Sequence, residues 1–590
     1  MHPPAESLLE ASGQLQPAGP TAEDRLAVLR DKSPSLGAAL VNAGLVSAVA
    51  IDYVLQKQKI EKVPMGNLLV ELGFASANEV ARQLAGQRGL RFVNADEMPE
   101  PDTAVAGIFN RSLCLTYGFL PVRENDEGLI EVVLGDAQPD TVTELVQRKL
   151  GKGCHFFQGE FDSVAQAIQQ HYYFAEHPPA RLIESEVRKL EADVDRAYSP
   201  ARLLEHMLHL AVRERATDIH LAPTARSRSV LLRVDGVLRP VFALSPALDR
   251  LVVYVKLQAD MDASEQRLPQ DGSFTAQVME HNFTIRVSTL ISEFGERMVL
   301  RLLPERSNLD KLADLGFLEE DVAVMAKAFS RPHGLILITG PTGSGKSTTL
   351  HAALRMQPLI ERNVLTVEDP VEYRVPVACQ TEVNRRAGYE FANAMRHFLR
   401  HDPDIILVGE IRDSETARAA LDASSTGHLV LSTLHVGSIF GVMPRLKLLG
   451  VDTETIAENL VAVINQRLVR RICPHCAKPR LATDDERRWL GQGAAGEMLQ
   501  VFHGAGCHHC RDTGYLGRLP VYEMLVVNRD LADAIASDAT RAEMRQRALA
   551  AGMRPILTLA RHRVLAGETT MEEILRTCLL YTSDAADDSL

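Results

Sequence analysis

The pattern of apolar and polar positions repeats itself near the start of the chain. Two segments at an offset of 29 residues keep the same residue types at seven positions. In each copy a glycine separates two runs, and the second run has apolar residues four apart, which is the spacing of one helix face. Two copies are too few for a repeat array, so the pattern predicts a compact module of two helix–turn–helix units. The matched pairs are Leu36 and Met65, Gly37 and Gly66, Leu40 and Leu69, Gly44 and Gly73, Ile51 and Val80, Leu55 and Leu84, and Gln58 and Gln87.

Beyond this repeat the apolar residues form short runs that end at Gly, Asp or Pro, which is typical of buried strands. Helical patterns over residues 141–150 and 348–356 alternate with these runs, and residues 184–195 predict a charged helical linker. The chain is therefore expected to be a mixed α/β protein. The predicted strands cover residues 129–134, 230–234, 283–288, 298–303, 335–339, 364–367, 405–408 and 429–434.

Changes in composition and texture predict the domain boundaries. Residues 1–34, rich in Ala, Pro, Gly and Glu, predict a mobile lead-in, and the last residues carry no motif or periodicity. We interpret the tail as disordered from about Tyr581 and as non-native sequence. The predicted segments are 1–34, an N-terminal domain at 35–175, a linker at 176–198, a middle α/β domain at 199–307, a C-terminal domain at 308–577 and a tail at 578–590.

Composition narrows the class of protein. With 64 basic and 77 acidic residues the formal charge is −13, which argues against a nucleic-acid motor because such binding depends on basic side chains. Hydrophobic residues make up 46% and charged residues 24%, as in folded soluble domains. No apolar run approaches the length of a membrane span, and the N-terminus lacks a signal-peptide pattern. We therefore expect a cytoplasmic protein whose eight cysteines are thiols or metal ligands.

One motif has high chemical specificity, GxxxxGK[ST] between a predicted strand and a predicted helix. Its glycines let successive backbone N–H groups turn inward as an anion nest, and the helix N-terminus adds the positive end of its dipole. The lysine would reach the β- and γ-phosphates, and the serine hydroxyl would help to hold Mg²⁺. The motif predicts an ATP-binding loop formed by Gly340, Pro341, Thr342, Gly343, Ser344, Gly345, Lys346 and Ser347, followed by Thr348.

Carboxylates follow two of the predicted strands. Glu372 lies beyond strand 364–367, and Glu410 lies beyond strand 405–408. In a parallel sheet both would lie at the C-terminal edge, where ligands bind, and they could supply Mg²⁺ coordination and orient the attacking water. A lone glutamate at a strand end is more often a solvent-exposed residue without a catalytic role. The prediction therefore depends on the presence of the phosphate-binding loop upstream.

Two histidines, His428 and His435, flank the predicted strand 429–434. A spacing of seven on a strand puts them on opposite faces, which argues against a shared metal ion. A histidine beside a strand is more often structural than catalytic, but one of the two could sense a γ-phosphate.

Four cysteines form two CxxC pairs, Cys473 with Cys476 and Cys507 with Cys510, separated by 30 residues. This arrangement suits a closed, structural Zn²⁺ site, and a redox pair or coincidental spacing are the alternatives. Additional donors that could substitute are His475, His508 and His509, whereas Cys114, Cys154, Cys379 and Cys578 are interpreted as ordinary thiols.

The chain resembles the secretion and pilus-assembly ATPases of the type II secretion and type IV pilus family. The resemblance covers essentially residues 35–577 and rests on the phosphate-binding loop and on several further motifs in the family's order. These motifs are an acidic box at 366–373, a Walker-B-like box at 402–413, a histidine box that ends at His435, and the upstream segments 218–220, 233–238 and 268–272.

This resemblance implies a RecA-like hexameric ATPase domain, preceded by a PAS-like α/β domain and an N-terminal helical plus α/β docking domain. ATP would bind between the middle and C-terminal domains, and a tetracysteine zinc subdomain would lie at about 470–520. It also implies roles for five residues. Glu372 would activate water, Glu410 would be the Walker B glutamate near Mg²⁺, His435 would lie near the γ-phosphate, and Arg286 and Arg301 would be arginine-finger candidates.

The chain departs from the family at several positions. The helical repeat resembles a cyclic-di-GMP-binding domain whose two motifs each open with Arg, and Ser35 and Pro64 stand at those positions here. We therefore expect a docking domain that has lost, or greatly weakened, cyclic di-GMP binding. The other departures are Val436-Gly437-Ser438 after the histidine box, Ala222 in place of Glu, and Ile291 in place of Pro.

The leading hypothesis is a hexameric ATPase, peripheral to the inner membrane, that powers pseudopilus assembly for type II secretion and meets the membrane through a protein partner. A type IV pilus-assembly motor shares the same chemistry and is the first alternative. A nucleotide-binding regulatory module with little turnover is an alternative from another class.

Overall fold

A computed structural model describes residues 35–192, 199–245, 249–279, 281–304, 311–375, 377–491 and 498–579. The predicted mobile lead-in and the predicted disorder from Tyr581 lie outside these residues. The described chain is mixed α/β, as expected, with its strands in four sheets. None of the helices in these ranges combines the length and the apolar content that a membrane span requires.

The repeat folds into two pairs of helices, Leu36–Asn42 with Ala48–Glu61 and Met65–Glu71 with Ala77–Arg88. The helix starts keep the offset of 29 residues, which confirms the predicted helix–turn–helix units. Each pair turns at a glycine with positive φ, +68° at Gly44 and +73° at Gly73, a conformation that favours glycine because it has no Cβ. All the apolar positions of the repeat pack into one core.

A four-stranded sheet follows, in the order β1-β4-β3-β2. Strand β4 pairs in parallel with both β1 and β3, and β2 closes the sheet antiparallel to β3. Its strands are β1 (Arg91–Val93), β2 (Phe119–Glu124), β3 (Ile130–Leu134) and β4 (Cys154–Gly159). Its helices are Thr103–Ala106, Arg111–Tyr117, Pro139–Leu150, Phe161–Ile168 and Phe174–Glu176, with a 3₁₀ turn at Ala95–Glu97 and a π-helical segment at Gln169–Tyr173. Helix Pro179–Ala192 follows and packs with the middle part of the chain.

The middle of the chain forms a six-stranded antiparallel sheet in the order β7-β6-β5-β10-β9-β8. The apolar side chains of one face pack with helices Pro200–Arg213 and Asp249–Gln258, and Ile183 of the preceding helix joins this core. The opposite face carries polar residues, among them Asp218, Arg286 and Arg301. The strands are β5 (Ala216–Pro223), β6 (Arg228–Val234), β7 (Val237–Leu244), β8 (Gln270–Val278), β9 (His281–Ser292) and β10 (Gly295–Pro304).

The largest sheet has seven strands in the order β13-β12-β14-β15-β11-β16-β19. All its neighbouring strands are parallel except β16 and β19. Its strands are β11 (Gly334–Thr339), β12 (Val364–Glu368), β13 (Cys379–Glu382), β14 (Ile405–Val408), β15 (Leu429–Leu434), β16 (Leu460–Ile472) and β19 (Tyr515–Val526). A separate two-stranded antiparallel sheet pairs β17 (Ala477–Leu481) with β18 (Gln500–Gly504).

Helices cover both faces of this sheet, which explains why its strands are apolar at nearly every position. Along β11, Ile336 and Ile338 contribute to one core, whereas Leu335 and Leu337 contribute to the other. The helices of this part are Glu319–Phe329, Lys346–Arg355, Phe391–Phe398, Ser414–Ser425, Val442–Leu448, Thr453–Asn459, Asp484–Trp489, Arg529–Ala536, Arg541–Ala550, Ile556–Leu565 and Met571–Ile574, with 3₁₀ turns at Arg385–Ala387 and Ile439–Gly441 and a π-helical segment at Leu575–Leu579.

A buried carboxylate fixes the last described helix to the large sheet. Glu573, whose side chain is 2% exposed, contacts Arg470 of β16, and its Oε2 lies 2.8 Å from Nη2 of Arg576. Burial alone would raise the pKa of Glu573, but the hydrogen bonds and charges of Arg470 and Arg576 lower it from 4.5 to about 2. Because this pKa lies below the unfolded value, the pair stabilises the fold above pH 4.5, and the contribution is lost as the pH falls from there towards about 2.

We therefore expect Glu573→Gln to lower the free energy of unfolding at pH 7 by about 3 kcal/mol, because it leaves the partly buried Arg470, whose side chain is 16% exposed, without its charge partner. Arg576 is 44% exposed, and Arg576→Gln is a matched control that should cost less than about 1 kcal/mol. Denaturation can be followed by the fluorescence of Trp489, the single tryptophan of the chain, which shares a core with Ile574. Equal losses for the two variants would contradict this account.

Candidate functional site

The predicted phosphate-binding loop lies between strand β11 and helix Lys346–Arg355, which confirms its strand–loop–helix setting. Gly340, Gly343 and Gly345 have φ values of +142°, +79° and +85°, a region in which side chains are strained. A Cβ on Gly340 would lie 2.5 Å from the carbonyl oxygen of Gln466. The loop therefore requires glycine for both its turn and its packing, and it ends at a helix N-terminus, which attracts anions.

Lys346 is the first residue of the helix that follows this loop, and it is largely buried. Its Nζ donates to the carbonyl oxygens of Gly340 and Pro341, each at 3.1 Å. Burial lowers the pKa of Lys346, and the carboxylates of Glu410 and Glu372 oppose that shift. The structure thus brings the lysine within electrostatic reach of both glutamates that the sequence singled out.

The remaining loop residues differ in exposure. Thr342 and Gly343 are exposed at the tip, and Ser344 is buried. Ser347 is the second residue of the helix, and the Oγ1 of Thr348 forms a hydrogen bond of 3.1 Å with the Tyr373 hydroxyl. An anion over the loop would therefore meet backbone N–H groups and the Lys346 ammonium.

Gln466 on strand β16 is a site residue that the sequence reasoning missed. Its Nε2 donates to the carbonyl oxygen of Ser344 at 2.7 Å, and its Oε1 accepts from Oγ1 of Thr349 at 3.0 Å. The side chain is almost fully buried, so these two bonds hold the loop and the first helical turn together. The available signal was the polar triplet Asn465-Gln466-Arg467, which directly follows the apolar run 460–464 of β16.

Glu410 lies just beyond the end of β14, and its side chain is 12% exposed. His435, just beyond the end of the neighbouring β15, has its Nε2 3.2 Å from Oε2 of Glu410, and Arg412 contacts the other carboxylate oxygen. His428 lies at the opposite end of β15, where its Nδ1 contacts the carbonyl oxygen of Ala423 at 2.9 Å. The two histidines are thus separated by the length of the strand, and His435 alone of the pair lies with the carboxylates.

The acidic box separates a buried glutamate from an exposed one. Glu368 is buried, and its Oε2 lies 3.1 Å from Nε2 of His351, whose Nδ1 donates to the carbonyl oxygen of Ser347 at 2.7 Å. Glu368 thereby ties β12 to the phosphate-loop helix. Glu372 is exposed, and its charge acts on Lys346 and on Arg286 of the middle sheet. Glu372 is thus the glutamate of this box that is open to solvent and ligand.

The two arginine-finger candidates face each other across β9 and β10. Burial lowers the pKa of Arg286, and Glu372, Glu382 and Asp369 of the large-sheet part oppose that shift. Arg301 is 55% exposed, and its Nε donates to Oδ1 of Asp218 at 2.9 Å. Arg286 therefore lies within electrostatic range of the acidic box, whereas Arg301 is held by an ion pair within its own sheet.

The four predicted cysteine ligands converge, with all their sulfur atoms within 4.8 Å of one another. The Sγ separations are 3.8 Å for Cys473 and Cys507, and 3.7 Å for Cys476 and Cys510 and for Cys507 and Cys510. Burial disfavours the thiolate of Cys510, but the backbone N–H groups of Cys507 and Gly514 donate to it and help lower its pKa to about 7. The donor set fits a tetrahedral ion, since Zn–S bonds of about 2.3 Å imply sulfur separations of about 3.8 Å.

At the start of the repeat, the positions that hold Arg in the resembling cyclic-di-GMP-binding domain begin helices here. Ser35 caps helix Leu36–Asn42 by accepting from the backbone N–H of Ala38 at 3.4 Å. Pro64 precedes helix Met65–Glu71 as its N-cap residue. Neither side chain carries the positive charge or the planar fork of N–H donors that a guanidinium offers.

Comparison with known proteins gives two family matches. The family described as Type II/IV secretion system protein matches residues 194–576, more than half of the chain, and the MshEN domain matches residues 88–178. The second match covers the four-stranded sheet and leaves the helical repeat outside it except for Arg88.

Similar relatives carry secretion and pilus names. Type IV pilus assembly ATPase PilB of Thermus thermophilus is 35% identical over 537 residues, 86% of this chain and 58% of that protein's length. Type II secretion system protein E of Aeromonas hydrophila is 41% identical over 388 residues, 66% of this chain and 77% of the relative. Putative type II secretion system protein E of Escherichia coli is 38% identical over 463 residues, 76% of this chain and 91% of the relative.

These matches confirm the resemblance inferred from the ordered motifs. The chain therefore belongs to the type II/IV secretion system protein family of secretion and pilus ATPases.

Proposed function

We propose that the chain is a hexameric ATPase that hydrolyses ATP to power pseudopilus assembly in type II protein secretion. The observation that carries the proposal is the convergence of Lys346, Glu410, His435 and Glu372 beside a glycine loop, at the C-terminal edge of a parallel sheet. That combination supplies an anion nest, a cation for the phosphates and carboxylates for a metal ion and a water molecule.

In this proposal the loop 340–345 and the helix N-terminus bind the phosphates, and Lys346 moves from the loop carbonyls to the β- and γ-phosphates. Ser347 and Glu410 would hold Mg²⁺, which neutralises phosphate charge when bound. Glu372 accepts a proton from the water that attacks the γ-phosphorus, the bond to the β–γ bridging oxygen breaks, and ADP leaves.

His435 is assigned the position next to the γ-phosphate, because its imidazole already donates to the Glu410 carboxylate. We assign to Arg286 the stabilisation of the transferring phosphoryl group, because the planar guanidinium matches the geometry of a phosphate. Arg301 would support that role from the neighbouring strand, since Asp218 holds its guanidinium.

We assign a RecA-like motor to residues 308–577, a PAS-like domain to 199–307 and a docking domain to 35–175. The separate sheets support this division, and the two family matches, over 88–178 and 194–576, support the boundary at the linker. Within the motor, Cys473, Cys476, Cys507 and Cys510 would hold a structural Zn²⁺, which the sulfur spacing supports.

The proposed partners are further copies of the chain and an inner-membrane platform protein that holds the docking domain. The protein would work in the cytoplasm and meet the membrane only through that partner. The formal charge of −13 supports a protein partner over nucleic acid.

Type IV pilus assembly is the second candidate, and one observation favours it. The alignment with the pilus-assembly relative extends over 86% of the chain, compared with 66% and 76% for the two secretion relatives named above. The motor chemistry is common to both candidates, so the identity of the platform protein that binds residues 35–175 distinguishes them.

Phosphate release measured on the full chain with Mg²⁺ tests the proposed chemistry. Lys346→Ala and Glu410→Gln should each lower kcat by about 100-fold or more, because the first removes a phosphate cation and the second a metal-side carboxylate. His435→Ala should also lower kcat, whereas the matched variant His428→Ala, at the other end of β15, should leave it unchanged.

The alternative from another class is a regulatory module that binds ATP with little turnover. If the unmodified protein, after hexamer formation, releases phosphate no faster than the Lys346→Ala and Glu410→Gln variants, the result supports the regulatory module and contradicts the motor proposal.

A second prediction concerns cyclic di-GMP and the helical repeat. Because Ser35 and Pro64 stand where the resembling domain has Arg, we expect no micromolar binding in calorimetric titration of the full chain. The double variant Ser35→Arg with Pro64→Arg restores both cations and should bind more tightly. Micromolar affinity of the unmodified protein would overturn this prediction.

A further inference from the structure

A second group of metal-type ligands lies beside the cysteine cluster, at the junction with the N-terminal α/β part. Within the described residues, ligand atoms of Glu100, His508 and His509 lie within 4.8 Å of one another. Oε1 of Glu100 is 2.8 Å from Nε2 of His508 and 3.8 Å from Nδ1 of His509. Glu100 precedes helix Thr103–Ala106, so the group joins residues about 400 positions apart in the chain.

The distances suit one small divalent ion held by all three side chains. Ligands about 2.1 Å from a tetrahedral ion lie about 3.4 Å apart, and the two separations from Glu100 fall on either side of that value. Two imidazoles and one carboxylate form a donor set that borderline divalent metals such as Zn²⁺ accept, and it differs from the four thiolates next to it.

The imidazole rings of this group lie close together, so they can bind one common ion. The rings of His508 and His509 are 4.0 Å apart between centroids, and His475 stacks on His509 at 3.8 Å. That stack fixes the plane of His509 beside Glu100. The side chains of His508, Glu100 and His509 are 65%, 45% and 25% exposed, so an ion from solution can reach them.

We propose that Glu100, His508 and His509 form a second divalent-metal site of the zinc class, separate from the tetracysteine site. Three protein ligands leave one coordination position for water. An ion bound there joins the N-terminal α/β part to the cysteine loop. The same loop already contacts the middle part of the chain through Arg511, whose Nη1 lies 2.9 Å from Oε2 of Glu214.

Metal stoichiometry of the full chain tests this site. Protein stripped with a chelator is dialysed against buffered micromolar Zn²⁺ and measured by elemental mass spectrometry. The double variant Glu100→Gln with His508→Gln should hold one Zn²⁺ fewer per chain than the unmodified protein. Glu97→Gln, an exposed carboxylate of the same segment, is the control and should hold as many as the unmodified protein.

The absorption spectrum of protein loaded with Co²⁺ in place of Zn²⁺ shows which site loses its ion. A four-thiolate site gives intense sulfur-to-metal absorption, whereas a histidine and carboxylate site gives weak bands. The double variant should keep the intense absorption and lose only the weak component. Equal metal content in the unmodified protein and the double variant would overturn the proposal, whatever the state of the tetracysteine site.

Discussion

A glycine loop can bind phosphate only if successive backbone N–H groups are held pointing at the anion. In this chain Gln466 supplies that constraint from the neighbouring strand. Its amide donates to the carbonyl oxygen of Ser344, which turns the following N–H of Gly345 inward, and its own backbone carbonyl leaves room only for glycine at position 340. The loop therefore has its binding conformation before a ligand arrives. Nucleotide binding then does not carry the entropic cost of ordering the loop.

The order of strands brings the remaining chemistry to the same edge. Strand β11 has β15 and β16 as neighbours, and β14 pairs with β15, so residues that follow β11, β14 and β15 lie side by side. Glu410 and His435 meet at 3.2 Å there, within electrostatic reach of Lys346. The middle sheet adds Arg286 from outside this fold, close enough for Glu372 to act on its charge. An arrangement of this kind makes the site depend on how the two sheets are placed relative to each other, as the proposed motor function requires.

Much of this could be predicted from the sequence, because the signals are local. The phosphate-binding loop follows from eight consecutive residues, the repeat from a fixed offset, and Glu410 from the end of an apolar strand. Gln466 and His351 were missed because their roles depend on which strand or helix lies opposite them, and Gln466 is 122 positions from the carbonyl group that it holds. The acidic box is a second example, because the sequence does not show which of its glutamates is buried. In the structure Glu368 is buried and contacts His351, whereas Glu372 is exposed. The roles of the site residues and the domain boundaries stay predictions.

If Gln466 shapes the phosphate-binding loop, removal of its side-chain amide should weaken nucleotide binding. Calorimetry with Mg²⁺ and a slowly hydrolysed ATP analogue would compare the unmodified chain with Gln466→Leu, a substitution of similar size without the amide. Loss of partners for the Ser344 carbonyl and the Thr349 hydroxyl should weaken affinity by about tenfold or more, since buried unpaired groups cost about 1–3 kcal/mol. Thr339→Val, which removes a nearby buried hydroxyl bonded to β16, is the control and should retain affinity. Unchanged affinity in a folded Gln466→Leu protein would contradict the account.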